Sequence, residues 1–393
     1  MAQATSNMTG TQKAVLAGDI FNEQTTLDER INLQYSKDMA AGDGASANVT
    51  CTGFAGEVEG DLKPEDFAKI KNFTFPVQLN KYSTPGKAAN LDLSTVVKDF
   101  KQQIKDPVVL PLIAGTNRRT AKAAIGGISM SFKKGDGFAD DNSLYEYVNL
   151  AIGAVRQQRG NGDITILGSP LAIAKLRNDQ RNWQSGNQAT AYKENADIGK
   201  YAGAYVIESA DMPILKQVSG SFTGGTLANG SNIISGVTAI TGGVIPAGTI
   251  INTGIRAVDP LTNEQLPYNK FVVVAVDAKP GDTSIVLTHP IYAWVAGQTN
   301  IPNIASVSSP NFSIQAPVDN GGRVIVVFAK NAIWKIRREL VAPDYGTWGN
   351  AGKAGQYLQY WERSEAYNND KLVSASILEA TGSFGFGSAT VLF

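Results

Sequence analysis

From roughly Ser219 to Pro310, about ninety residues differ in composition from the chain on either side, and this run most limits the folds open to the protein. It carries Gly224-Gly225, Gly242-Gly243, the turn Pro246-Ala247-Gly248 and the turn Lys279-Pro280-Gly281-Asp282. Between them stand short β-branched stretches such as Thr249-Ile250-Ile251 and Phe271-Val272-Val273-Val274. Strands of a few residues bounded by Gly, Pro, Asn and Asp are the pattern of a small sandwich or barrel. Helical patterning returns on both sides, so the run reads as a β-module inserted in an α/β chain.

The flanks carry the clearest local signals. Asn142-Ser143-Leu144-Tyr145-Glu146 offers a capping box, and Leu144, Val148, Ala151, Ile152 and Val155 line one face of a helix that stops at Gly160. The apolar strand Asp163-Ile164-Thr165-Ile166-Leu167 follows, and then Ser169 as cap and Pro170 at the first helical position open a helix over Leu171 to Arg177. Further strands are predicted at Ala204-Tyr205-Val206-Ile207, ended by the Asp211-Met212-Pro213 turn, and at Arg323 to Phe328. Their unbroken apolar character predicts that both faces are covered. Upstream, Val96, Val97, Phe100 and Ile104 share a helical face, with Asp92 or Ser94 as cap. Pro107 and Pro111 are expected to kink or break the next turn, with helix resuming around Arg118 to Ile125 before Gly126-Gly127.

The first forty-odd residues are polar and weakly periodic, apart from a possible short helix around Leu27 to Leu33, and read as an extended arm that needs a neighbour to order it. Strand-like text follows at Asn48 to Thr52 and at Phe73 to Leu79, with the Lys63-Pro64-Glu65-Asp66 turn between them. The two runs suit the limbs of a long hairpin, and Pro76 suits an edge strand. A polar hairpin of this kind is marginal alone and wants a surface to lie on.

At 393 residues the chain has enough length for one to three domains. Lys plus Arg equals Asp plus Glu at 35 each, which implies no charge-driven partner for the chain as a whole, since a dedicated nucleic-acid binder is usually more basic. The single cysteine, Cys51, rules out an internal disulfide framework and fits a reducing, cytoplasmic setting. The N-terminus lacks the basic start and apolar core of a secretory signal, and no stretch approaches the ~20 apolar residues of a membrane helix. No membrane partner is expected.

Catalytic content is close to nil. The one histidine, His289, stands before Pro290 inside the β-run and reads as structural or surface. Cys51 has no base near it in sequence and reads as a small packed side chain. Asp136, Asp140, Asp141 and Glu146 fail the twelve-residue calcium-loop spacing and suit a helix N-terminus instead. The glycine groups form neither a dinucleotide fingerprint nor a phosphate loop. No cofactor, metal or enzymatic activity is therefore expected. Arg118, Arg119 and Lys122, like Lys133-Lys134 and Lys335 with Arg337-Arg338, read as scattered, solvated pairs. Repeated over many copies, the first group could face nucleic acid without reading its sequence.

The order of these parts resembles the major capsid proteins of tailed bacteriophages with the Hong Kong 97-type fold. The most specific stretch is Ile198-Gly199-Lys200-Tyr201-Ala202-Gly203-Ala204-Tyr205-Val206-Ile207-Glu208-Ser209-Ala210-Asp211-Met212-Pro213, where a glycine turn leads into a strand and a short Asp-Met-Pro turn. A β-domain placed right behind that turn is similar to the short-tailed-phage subgroup with an insertion domain. The resemblance implies an α+β chain: an N-terminal arm over 1-40, an extended loop over 41-85, a peripheral domain with its spine helix over 86-135, and an axial domain beginning over 136-217. It further implies an inserted β-barrel-like domain over 218-312 and a return to axial and peripheral strands over 313-393. Pro107 and Pro111 depart from it, because the spine helix should be long.

By the same resemblance the chain would be a structural shell subunit, assembling with itself into hexamers and pentamers of an icosahedral head around double-stranded DNA. A separate scaffolding protein, a portal and weak, non-specific DNA contact are the implied partners, with synthesis in the bacterial host cytoplasm and residence in the virion. Tyr345, Trp348, Tyr357, Tyr360, Trp361 and Tyr367 suit either subunit interfaces or the subunit's own core. Two readings remain beside it: a binding or adhesion protein that uses the β-module, and an encapsulin-type compartment shell.

Overall fold

The computed structural model describes residues 27–33, 46–52, 72–88, 109–138, 143–158, 162–183, 200–259, 262, 264–293, 304–308, 310–316, 323–337, 344–346, 359–364 and 371–393. The expected helix from Ser94 to Ile104 lies outside them, as do Trp348, Tyr357 and Tyr367. Strands β1 (Ser46–Thr52) and β2 (Asn72–Gln78) hydrogen-bond as a two-stranded sheet, so the two strand-like polar runs do pair. The chain divides into two compact units. One gathers Met1–Val49, Pro76–Thr120 and Trp334–Thr381, and the other Thr50–Phe75, Ala121–Ile333 and Gly382–Phe393.

In the first unit, β3 (Asn80–Ala88) runs antiparallel to the long strand β18 (Lys371–Ser383), from Asn80 opposite Glu379 to Ala88 opposite Lys371. The rest of this sheet is built from β15 (Ile333–Arg337), β16 (Asp344–Gly346) and β17 (Gln359–Ser364), in the order β15-β18-β17-β16. Helix α1 (Leu110–Gly126) contributes its first eleven residues to this unit. Sequence reading expected a break at Pro111 and helix only from Arg118. Pro111 is instead the second residue of α1, which follows directly on Val109, itself already π-helical, and the helix runs on from it without a break to Gly126. Residues 27–33, expected within a free arm, are held by their own chain. Leu27 and Ile31 are buried, a 3-10 turn spans Asp28–Arg30, and the Asn32 carbonyl accepts from Lys335 N at 3.0 Å.

The second unit is centred on a six-stranded mixed sheet. Its strands are β4 (Met130–Lys133), β5 (Ile164–Gly168), β6 (Lys200–Tyr201), β7 (Ala204–Glu208), β14 (Val324–Ala329) and β19 (Ser388–Leu392), in the order β4-β19-β14-β5-β7-β6. β5, β14 and β19 are buried at every position, as their apolar runs predicted. Helices α2 (Leu144–Gln157) and α3 (Pro170–Trp183) pack on the sheet, α2 through Leu144, Tyr147, Val148, Ala151, Ile152 and Val155. Ser143 caps α2 by accepting from Glu146 N at 3.2 Å, and Ser169 caps α3 by accepting from Ala172 N at 3.3 Å. β6 and β7 meet through Ala202 and Gly203, both with positive φ (48° and 81°), the two-residue turn that matches strand twist.

Between β7 and β14 the regular elements among the described residues of the same unit are all strands: β8 (Gly224–Leu227), β9 (Ile233–Val237), β10 (Ile250–Val258), β11 (Gln265–Val273), β12 (Ser284–Val286) and β13 (Ser313–Gln315). They form two three-stranded sheets, β11-β10-β13 and β12-β9-β8. A common apolar core joins the sheets through Ile234, Ile245, Ile251, Val272, Val274, Ile285, Leu287 and Ile304. Tyr268 on β11 fastens this β-module to α2: its hydroxyl donates to Ala154 O at 3.2 Å and accepts from Gln158 Nε2 at 2.9 Å.

Candidate functional site

Helix α1 carries the basic residues singled out in the sequence, and the structure separates them. Arg118 and Lys122, one turn apart, are both exposed. Arg119 is drawn inward. Its guanidinium hydrogen-bonds and ion-pairs with the Glu379 carboxylate of β18, donates to Thr116 Oγ1 at 3.0 Å, and stacks with its central carbon 3.6 Å from the Tyr82 ring centroid. Burial and periodicity together explain the split, because Thr116 and Thr120 lie on the buried face of α1 and Arg119 flanks them.

Glu379 anchors a larger network. It is 0% exposed, accepts from Thr116 Oγ1 at 3.4 Å and lies 3.8 Å from Arg337 Nε. Arg337 Nη2 reaches Asp28 Oδ2 at 2.6 Å, and Lys335 Nζ, also 0% exposed, reaches Asp28 Oδ1 at 2.6 Å. Three cations thus meet two carboxylates drawn from residue 28, α1, β15 and β18. Alternation on β15 puts Lys335 and Arg337 on the same face of the strand, toward Asp28. Burial works to raise the Asp28 carboxyl, yet the Lys335 and Arg337 charges outweigh it and hold it below its ordinary value.

Sequence reading placed Lys335 and Arg337 among solvated pairs. The structure corrects this: Lys335 is fully buried and Arg337 nearly so, and each ends on Asp28. Asp28 and Glu379 drew no notice in the sequence, where Asp28 stands 307 positions from Lys335 and Glu379 stands 260 from Arg119. The one available signal was the alternation Ile333, Lys335, Arg337, with charges on one face of an otherwise apolar strand.

The remaining candidates lie apart from this network. Asp136 closes a tight turn, accepting from Lys133 N at 2.7 Å and Phe138 N at 3.0 Å, while Asp140 and Asp141 lie outside the described residues. Glu146 sits in the first turn of α2. Cys51 lies on β1. His289 is buried, with Nδ1 2.9 Å from Gly126 O. Among the described residues no group of three or more His, Cys, Asp or Glu side chains could hold a metal ion, and no helix is long and apolar enough to cross a membrane.

No family model matches the chain, and no curated protein matches its sequence. Among solved structures it is similar to one from Mycobacterium phage Che8, at 9% identity and a TM-score of 0.44, covering 92% of this chain and 88% of that one. It is likewise similar to the capsid of Ralstonia phage GP4, at 9% identity and a TM-score of 0.43, covering 89% and 84%. A virus-like particle from Pyrococcus furiosus matches at 8% identity and a TM-score of 0.43, covering 96% of each chain.

Proposed function

We propose that this chain is the structural subunit of a closed protein shell, a tailed-phage major capsid protein of the Hong Kong 97 type, with residues 218–312 as its inserted β-domain. The observation that carries the reading is the placement of the stretch from Ile198 to Pro213. Its described part forms the edge hairpin β6-β7 of the six-stranded sheet, turns at Ala202-Gly203, and ends at Asp211-Met212-Pro213 immediately before the β-module. That is the arrangement the sequence resemblance implies. The pairing of β1 with β2, and the long β3-β18 ladder in one unit with the first part of α1, support the extended-loop and peripheral-domain assignments.

A shell multiplies weak contacts over many copies, so exposed pairs such as Arg118 and Lys122 suffice for sequence-independent contact with packaged DNA. Arg119 does not contribute to that surface, since Glu379 already holds its charge. Itself, a scaffolding protein and a portal are the proposed partners. Negative-stain microscopy with sedimentation of the purified chain, alone and with a candidate scaffolding protein, tests the reading. Closed shells or sheets of hexamers and pentamers are expected. A stable monomer under all conditions would overturn it, and shells filled with protein cargo in place of DNA would move it to a compartment shell.

A further inference from the structure

Lys270, on β11, is fully buried and faces no carboxylate among the described residues. Its Nζ lies within hydrogen-bond reach of three oxygens, Ile128 O at 3.1 Å, Ser129 Oγ at 2.8 Å and Gly385 O at 2.5 Å. Ser129 Oγ also donates to Gly385 O at 2.8 Å, and Phe271 N donates to Ser129 O at 2.9 Å. Beside it, Thr288 Oγ1 donates to Gly126 O at 2.5 Å and His289 Nδ1 lies 2.9 Å from the same oxygen. The His289 Nε2 atom is buried with no hydrogen-bond partner among the described residues.

Three glycines let the walls close around these groups. A Cβ at Gly385, whose φ is +78°, would stand 2.4 Å from His289 Cδ2; one at Gly127 would stand 2.4 Å from Ser383 Cβ; one at Gly126 would stand 3.2 Å from Thr288 Cγ2. Residues 126–129 and 383–387 bring no charged side chain to the seam. On the β-module, Tyr268 shares the face of Lys270 and is kept a neutral phenol by burial, with Asp259 beside it. Arg256, on the neighbouring strand, points out to Pro267 O. Among the described residues, His289 is the titratable group on which the Lys270 charge bears.

We propose that this seam is a pH-operated latch, holding the β-module against the six-stranded sheet in neutral to alkaline solution and loosening as the solution acidifies. Two ionisable groups are sealed in it with neutral oxygens as their hydrogen-bond partners among the described residues, so adding a proton to either puts an uncompensated charge in a dry place. Burial brings Lys270 down to about 7 and, with the Lys270 charge next, brings His289 down to about 3. Both shifts act in the same direction. The unfolded chain holds more protons than the folded one from about 7 up to 10.5 for Lys270, and from about 3 up to 6.5 for His289. Stability conferred by the seam therefore rises with pH in each window.

The test uses the full chain. With ¹³Cε-labelled lysine, one resonance is expected to titrate near neutrality; titration of every lysine close to its ordinary value would overturn the latch. Thermal unfolding between pH 6 and pH 9 should show wild-type stability rising with pH, by up to about tenfold in folding equilibrium per unit above neutrality. The Lys270→Met variant should lose that slope and melt higher than wild type at pH 6. A variant that kept the wild-type slope would sink the proposal. If it fails to fold, hydrogen exchange of the wild type decides: protection at Phe271 and Ser129 should fall relative to Val326 between pH 8 and pH 6, and an unchanged ratio would overturn the latch.

Discussion

Asp28 concentrates the consequences of burying charge. Replacing it with Asn leaves the Lys335 ammonium, fully enclosed, facing a neutral amide, and breaking a buried pair in this way costs about 3–5 kcal/mol. Urea unfolding of Asp28→Asn should show that loss, and the paired change Asp28→Leu with Lys335→Met should regain part of it, since no enclosed ammonium is then orphaned and Arg337 keeps Glu379 at 3.8 Å. The same carboxyl predicts an acid limit. Because it is held below its ordinary value of 3.8, its contribution is complete above about pH 4 and drains away as pH falls through its lowered folded value. Acid unfolding of wild type and Asp28→Asn should therefore converge at low pH; a constant gap would contradict the assignment. None of this was legible in the chain, because the Lys335-to-Asp28 hydrogen bond spans 307 positions, beyond the reach of any local pattern.

Elements were far more legible, where local rules agree with burial. α2 begins at the residue after Ser143, as its capping box requires, and β5, β7 and β14 fall within a residue or two of the apolar runs that announced them. α1 was misjudged because proline was read as a breaker, whereas the helix carries Pro111 near its start and runs on to Gly126. That helix allows a clean division of labour. Changing Arg118 and Lys122 together to Gln should leave thermal stability within about 0.5 kcal/mol of wild type while lowering DNA retention in assembled particles. Arg119→Gln should do the reverse, lowering the melting temperature because Glu379 is left buried without its closest cation. At the centre of the six-stranded sheet, Phe328→Ala should cost about 3–5 kcal/mol by chemical denaturation.

For the whole molecule, Leu27, Asp28 and Ile31 tie the N-terminal segment to the fold. Removing residues 1–38 should therefore lower the melting temperature as well as weaken assembly, because those three side chains leave with it. Unchanged melting of that truncation would show that the docked segment adds nothing. The layout of the six-stranded sheet has a consequence in time. Among the described strands β4 pairs with β19 alone, and β14 takes β19 as one of its two neighbours, so residues 388–392 lie between strands synthesised some 250 and 60 residues earlier. While the ribosome is still adding those residues, β4 has no partner and one side of β14 is bare, an open template for another nascent chain on the same message. The chain is thus most exposed to mispairing just before synthesis reaches β19, and a chaperone that shields strand edges would help most in that interval.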